Sequence, residues 1–211
     1  MDRTNIKPLV VVAVCGGALA ATSASAAVTA SVTDQASVQA TLVGGGIVED
    51  FDGFAEQDFP TPSTQAFNGF TVSADQASGF AGDFAIGADG QLELFLDPGG
   101  GNIQTFTFVF DNPVDTFGAQ FGLANATPGS GLFFDFDNGE SFELSSDTAA
   151  GYTGAEYVSL ASSSTFSSFS VTSNAGIDFF TLDNVVTGVV PSPGSAALLG
   201  MAGLAATRRR R

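Results

Sequence analysis

Carboxylates are almost the only ionisable side chains that most of this chain offers for chemistry. Its 211 residues include 22 Asp and Glu, 6 Lys and Arg, and no His. Every acid but Asp2 lies between Asp34 and Asp183, whereas the bases are Arg3, Lys7 and Arg208 to Arg211. From Ala27 to Thr207 there are acids and no bases, so this span can form no salt bridge of its own. The only cysteine is Cys15, near the start. Ser-His-Asp and Cys-His catalysis are therefore excluded from the body, as is lysine chemistry, and zinc would have to be held by carboxylates alone. Two carboxylates at a fixed separation could hydrolyse glycosides. With so many acids some pair always has a suitable spacing, so no catalytic residue is assigned and the chain reads as a non-enzyme.

An ionised carboxylate buried without a partner is expensive, so each acid must be solvated, hydrogen-bonded, protonated or bound to a cation. Two of them about 5 Å apart in water repel by roughly 0.8 kcal/mol, and salt screens this within about 10 Å. Scattered surface acids are tolerable. Acids converging on a half-buried loop call for a hard cation, and calcium is the natural one: it takes oxygen ligands in irregular geometry and is plentiful outside cells. A polyanion without a basic patch is a poor nucleic-acid binder, because phosphate contacts rest on Lys and Arg.

The elements that must position these acids are short. Between Ala27 and Val190, alternating runs are punctuated by Gly, Asn, Asp and Pro, and helical periodicity is nearly absent. "QLELFLD" (91–97), "IQTFTFVFD" (103–111), "DTFGAQFGLA" (115–124) and "TFSSFSVTS" (165–173) predict half-buried antiparallel strands, and the whole predicts an all-β sandwich whose core is filled by the 21 phenylalanines. "GGGIVED" and "DPGGGN" lack the Lys of a phosphate loop and read as turns. Asn125 in "NAT" matches a glycosylation sequon, read here as chance.

"GLFFDFDNGESFELS" predicts a hairpin. A three-residue loop, Asp137 to Gly139 with Gly139 left-handed, sets Phe136 opposite Glu140, Phe134 opposite Phe142 and Leu132 opposite Leu144. A two-residue Asn-Gly turn would mix apolar and polar residues on each face, so the bulged register is preferred.

Two segments at the ends of the body carry a resemblance. "IVEDFDGF" (47–54) opens it, and "GIDFFTLDNVVTG" (176–188) closes it. "DFFTLDNV" resembles the last strand of jelly-roll modules related to carbohydrate-binding domains, in which acids on the first and last strands share a structural calcium. That likeness implies a jelly-roll-like sandwich and a calcium held by Asp50, Asp52 and Asp183. Strand parity puts Asp50 and Asp52 on one face, and Asp178 and Asp183 on opposite faces unless a bulge intervenes. A sugar-binding face usually uses Trp and Tyr; here there is no Trp, and Tyr152 and Tyr157 are the only tyrosines.

The bases gather where a membrane must be engaged. "MDRTNIKPLVVVAVCGGALAATSASAAV" has Arg3 and Lys7, an apolar run from Leu9 to Ala21, and an A-x-A site at Ala24 and Ala26: a secretory signal peptide, 1–26, cut before Ala27. Val14 before Cys15 argues against a lipoprotein box. After the body, 27–190, comes "PSPGSAALLGMAGLAATRRRR" (191–211). Its proline motif, apolar segment and terminal arginines resemble the C-terminal sorting signal of bacterial PEP-CTERM proteins, with "NPVDTFGAQFG" in the body adding to the likeness. Pro191, Ser192 and Pro193 form the motif, Ser192 standing where the family has Glu. The likeness implies an exported protein of the cell surface or exopolysaccharide matrix, partnered by secretion machinery and a membrane-embedded exosortase. The 13 residues Gly194 to Ala206 would make about 20 Å of helix against a hydrocarbon core of about 30 Å, a marginal anchor suited to temporary use. Arg208, Arg209, Arg210 and Arg211 would hold its end in the cytoplasm.

Overall fold

The computed structural model describes residues 27–59, 64–74, 84–96, 104–173 and 179–192. In chain order these form β1 (Val28–Val32), α1 (Gln35–Thr41), β2 (Ile47–Glu49), β3 (Gln57–Phe59), β4 (Thr64–Phe67), β5 (Phe70–Ala74), β6 (Phe84–Ile86), β7 (Leu92–Phe95), β8 (Phe106–Gly122), β9 (Leu132–Phe136), β10 (Ser141–Leu144), β11 (Tyr157–Ser173) and β12 (Phe179–Gly188). The twelve strands join in one sheet, antiparallel at every pairing, so the fold is all-β.

The expected runs at 103–111 and 115–124 are parts of a single strand. β8 and β11 lie side by side for 17 residues each, and both change neighbours halfway. Phe106 to Phe110 pairs with β5, and its other neighbour is the Ser168 to Val171 part of β11. Thr116 to Gly122 pairs instead with β12 and with Tyr157 to Ala161. Between these stretches the β8–β11 register slips twice, and Asp111 to Pro113 and Ser163 to Thr165 are exposed. Pro113 has no N–H to give a ladder, which makes it fit for such a corner.

The corner also switches side-chain parity. Phe106, Phe108 and Phe110 are buried before it, and Phe117, Ala119 and Phe121 after it. The two halves of the sheet thereby turn their apolar faces toward each other. Phe117 of one half meets Phe108, Phe110 and Phe169 of the other, with ring centroids 6.1, 6.3 and 5.0 Å apart, and Phe121 meets Phe134 at 6.4 Å. Burying a phenylalanine is worth about 1.5–3 kcal/mol, so this aromatic layer is the main source of cohesion in a body without disulfides or internal ion pairs.

The hairpin follows the bulged register. Phe134 lies opposite Phe142 and Leu132 opposite Leu144, the Phe136 N–H donates to the Glu140 carbonyl at 2.9 Å, and Gly139 has φ 88°. The "GGGIVED" stretch is likewise a turn leading into β2, with Gly44, Gly45 and Gly46 all at positive φ. "DPGGGN" lies outside the described residues.

The near absence of helical signal needs correction at one place. α1 is capped by Asp34, whose carboxylate accepts the Ser37 N–H at 2.9 Å and the Ser37 hydroxyl at 2.7 Å. Val38 and Leu42, one helical turn apart, bury a small second cluster with Tyr157 and Val186 on the outer side of the sheet. Asp34 with Ser37, then Val38 and Leu42, was the available signal; seven residues are too few for periodicity to show.

Candidate functional site

Turns bring the acids of the two end segments within electrostatic reach of one another. β2 stops at Glu49, and Phe51 takes φ 57°, unusual for a residue with a Cβ. Two things hold it there. Its ring is fully buried against Phe67 and Phe70, with centroids 5.1 and 6.5 Å away, and its N–H donates to Glu49 Oε1 at 2.8 Å. Glu49 Oε2 accepts the Asn68 N–H, also at 2.8 Å. With Phe51 plugged inward, Asp50 and Asp52 are left exposed, and the Asp52 N–H donates to Asp50 Oδ1 at 3.3 Å. Their nearness is thus a property of a turn, and the shared strand face expected from parity does not exist.

Asp183 lies on β12 at a register slip, followed by Asn184 with φ 50°. Its Oδ1 accepts the N–H of Asn184 at 2.6 Å. Burial pushes the Asp183 carboxyl above its ordinary value; the Asn184 hydrogen bond opposes this, and the charges of Asp52, Asp50 and Asp89 add to it. Asp50, Asp52 and Asp183 therefore share one electrostatic field, and Asp178 lies outside the described residues.

Asp89 is a member that sequence reasoning missed. It sits in the turn between β6 and β7, where Gly90, at φ 75°, passes so close to Asp52 that a Cβ there would fall 2.8 Å from Asp52 Oδ1. Glu93 continues the patch: burial raises its carboxyl above the usual range, and Asp89, Asp58 and Glu56 raise it further. No residue on β2 or β12 signals that the 87–90 turn will fold against them, since that approach is set by β7 pairing with β12. The result is an acidic end that attracts cations and repels anions. Among the described residues, however, no three acids are gathered closely enough to hold a metal ion.

A second feature is uncharged. Asn125, Thr127, Ser146, Tyr152 and Thr153 line an open cavity of about 460 Å³. Tyr152 is 2% exposed and edge-on to Phe121, and its hydroxyl has no hydrogen-bond partner among the described residues. Burial, together with the charge of Glu156, pushes the phenol well up. Beside it, burial raises the Glu156 carboxyl, but hydrogen bonds outweigh this and hold it below its usual value: the Thr153 hydroxyl and the N–H groups of Thr153, Ala155 and Gly154 all donate to it. That fan of bonds fixes the loop forming one wall.

After β12 the chain is pinned where the Val190 N–H donates to both oxygens of Asp115, at 2.9 and 3.1 Å, and Pro191 and Ser192 follow, exposed and without regular structure. Pro193, Arg208, Arg209, Arg210 and Arg211 at one end, and Ala24 and Ala26 at the other, lie outside the described residues. Among the described residues no helix is long and apolar enough to cross a membrane. No family model matches the chain, and comparison with curated proteins finds no match.

Proposed function

We propose that this chain is a non-enzymatic exported protein of the cell surface or extracellular matrix. A signal peptide (1–26) precedes a jelly-roll-like β-sandwich body (27–190), and a PEP-CTERM-like tail (191–211) sorts it through an exosortase-type membrane protease. The observation that carries the reading is the segregation of charge: all six bases lie outside Ala27 to Thr207, and all acids but Asp2 lie inside that span. Basic residues flanking short apolar segments orient them toward the cytoplasm, which leaves the acidic body outside. The body's fold supports this, since it is held by apolar packing and needs no thiol. Intact-mass measurement of protein recovered from the cell surface tests the reading. Mature chains lacking residues 1–26 and Arg208 to Arg211 are expected; a chain recovered from the cytoplasm at full mass overturns it.

A second reading is a calcium-supported carbohydrate-binding module associated with exopolysaccharide. It is favoured by the neutral cavity of hydroxyl and amide groups around Tyr152 and by the acidic end at Asp50, Asp52 and Asp183. Saturable binding to an acidic or neutral polysaccharide, lost in EGTA, is its expected signature. Turnover of the polysaccharide would point instead to a carboxylate glycosidase.

A further inference from the structure

Glu140 is 7% exposed, and among the described residues neither carboxylate oxygen has a hydrogen-bond partner. It sits at the start of the returning strand of the β9–β10 hairpin, on the side of Phe136, Phe134 and Leu132, all of which are buried. Its acidic neighbours are already engaged. Asp137 accepts the Ser167 N–H at 3.0 and 3.1 Å, and Asp135 accepts the Ser141 hydroxyl at 2.7 Å. To stay ionised, a buried carboxylate requires a cation or donors, and no Lys, Arg or His exists between Ala27 and Thr207 to supply one.

β1 runs near β10, the strand that follows Glu140, and Ala27 at its head is exposed. Val28 pairs with Ser162, which carries Ala27 toward Ser163. Asn138 spans this place: its Nδ2 donates to Ser162 Oγ at 3.2 Å and to Ser164 Oγ at 3.1 Å, while its Oδ1 accepts the Glu140 N–H at 3.1 Å. β1 also packs on β10, with Val28 and Ala30 against the core.

We propose that Glu140 is the receiving site for the α-ammonium group of Ala27, a cation that exists only once the signal peptide has been removed. The proposal rests on the export reading above. Hydrolysis of the Ala26–Ala27 bond places the hydroxyl of water on the Ala26 carbonyl and its hydrogen on the Ala27 nitrogen, which takes up a solvent proton to become –NH3+. Before that step an uncharged amide stands at the head of β1. Afterwards an ion pair ties β1 to the β9–β10 hairpin, and processing fastens the edge of the fold.

The mature chain has no lysine, so its α-amine is the sole aliphatic amine and can be labelled uniquely by reductive methylation with 13C-formaldehyde. In protein prepared with Ala27 as first residue, the methyl resonance is expected to titrate about one pH unit or more above the ordinary α-amino value of about 7.7–8.0. In the Glu140→Gln chain it should titrate at the value of an equally labelled Ala-Val peptide. Acetylating Ala27 should lower the melting temperature of the parent by several degrees and leave the Glu140→Gln chain unchanged. Identical titration in both chains, or equal effects of acetylation, overturns the pair. N-terminal sequencing of the exported protein reports on the export reading separately: a first residue other than Ala27 removes the maturation step even where the prepared chain forms the pair.

Discussion

Phe169 lies on Phe108 with ring centroids 4.8 Å apart and planes 27° from parallel. The pair joins the central strands β11 and β8, and Phe169 also meets Phe117 edge-on at 5.0 Å from the opposing half of the sheet. Phe169→Ala leaves a cavity at this junction and is expected to destabilise the fold by about 3–5 kcal/mol, read from urea unfolding. Phe142→Ala, at a partly buried position on β10, should cost clearly less.

Asp183→Asn removes a charge that the fold disfavours while retaining an oxygen to accept the Asn184 N–H. Because the folded carboxyl binds its proton up to a higher pH than the unfolded one, stability in the parent falls as pH rises from the ordinary value of 3.8 through the raised folded value. The variant should therefore melt higher than the parent at pH 7, and the difference should vanish below pH 3.8. Thermal melts from pH 3 to 7 at low salt check this; added salt should shrink the gap by screening Asp50, Asp52 and Asp89.

Gly154→Ala tests the wall of the cavity. Gly154 has φ 110°, a region open essentially to glycine, and a Cβ there would collide with the Ala124 carbonyl. A loss of about 1–3 kcal/mol is expected. Gly129→Ala, at φ 78° with open space around it, is the control and should lose about 1 kcal/mol from backbone strain alone.

Calcium at the acidic end makes a separate prediction. If Asp50, Asp52 and Asp183 draw together around an ion with a dissociation constant a hundredfold below the free concentration, calcium adds about 2.7 kcal/mol to stability relative to EDTA. Asp52→Asn should abolish that gain. Melting points equal in EDTA and in millimolar calcium eliminate the ion.

The hairpin at Leu132–Leu144 was legible because parity and turn chemistry agreed: only the bulged register put Phe134, Phe142, Leu132 and Leu144 on one face. β8 was legible as two halves and not as one strand, because Pro113 looks like an interruption until the neighbouring β11 is seen to slip at the same place. The charges of Asp50 and Asp52 act on Asp183, but through turns that strand parity did not indicate. Phe51 at positive φ is held by Glu49 and by two distant rings, which no local pattern encodes. Asp89 and the cavity around Tyr152 were invisible for the same reason, since both depend on loops brought together by pairings remote in sequence.

β8 and β11 each belong to both halves of the sheet, so neither half can open without stripping the other of its central ladder. Amide exchange in Phe106 to Phe110 and Tyr157 to Leu160 should accordingly occur only through whole-molecule unfolding. Such remote pairings also form slowly, because the intervening chain must close before any contact rewards it. On the export route proposed above, that delay would keep the chain from locking shut before it has crossed the membrane.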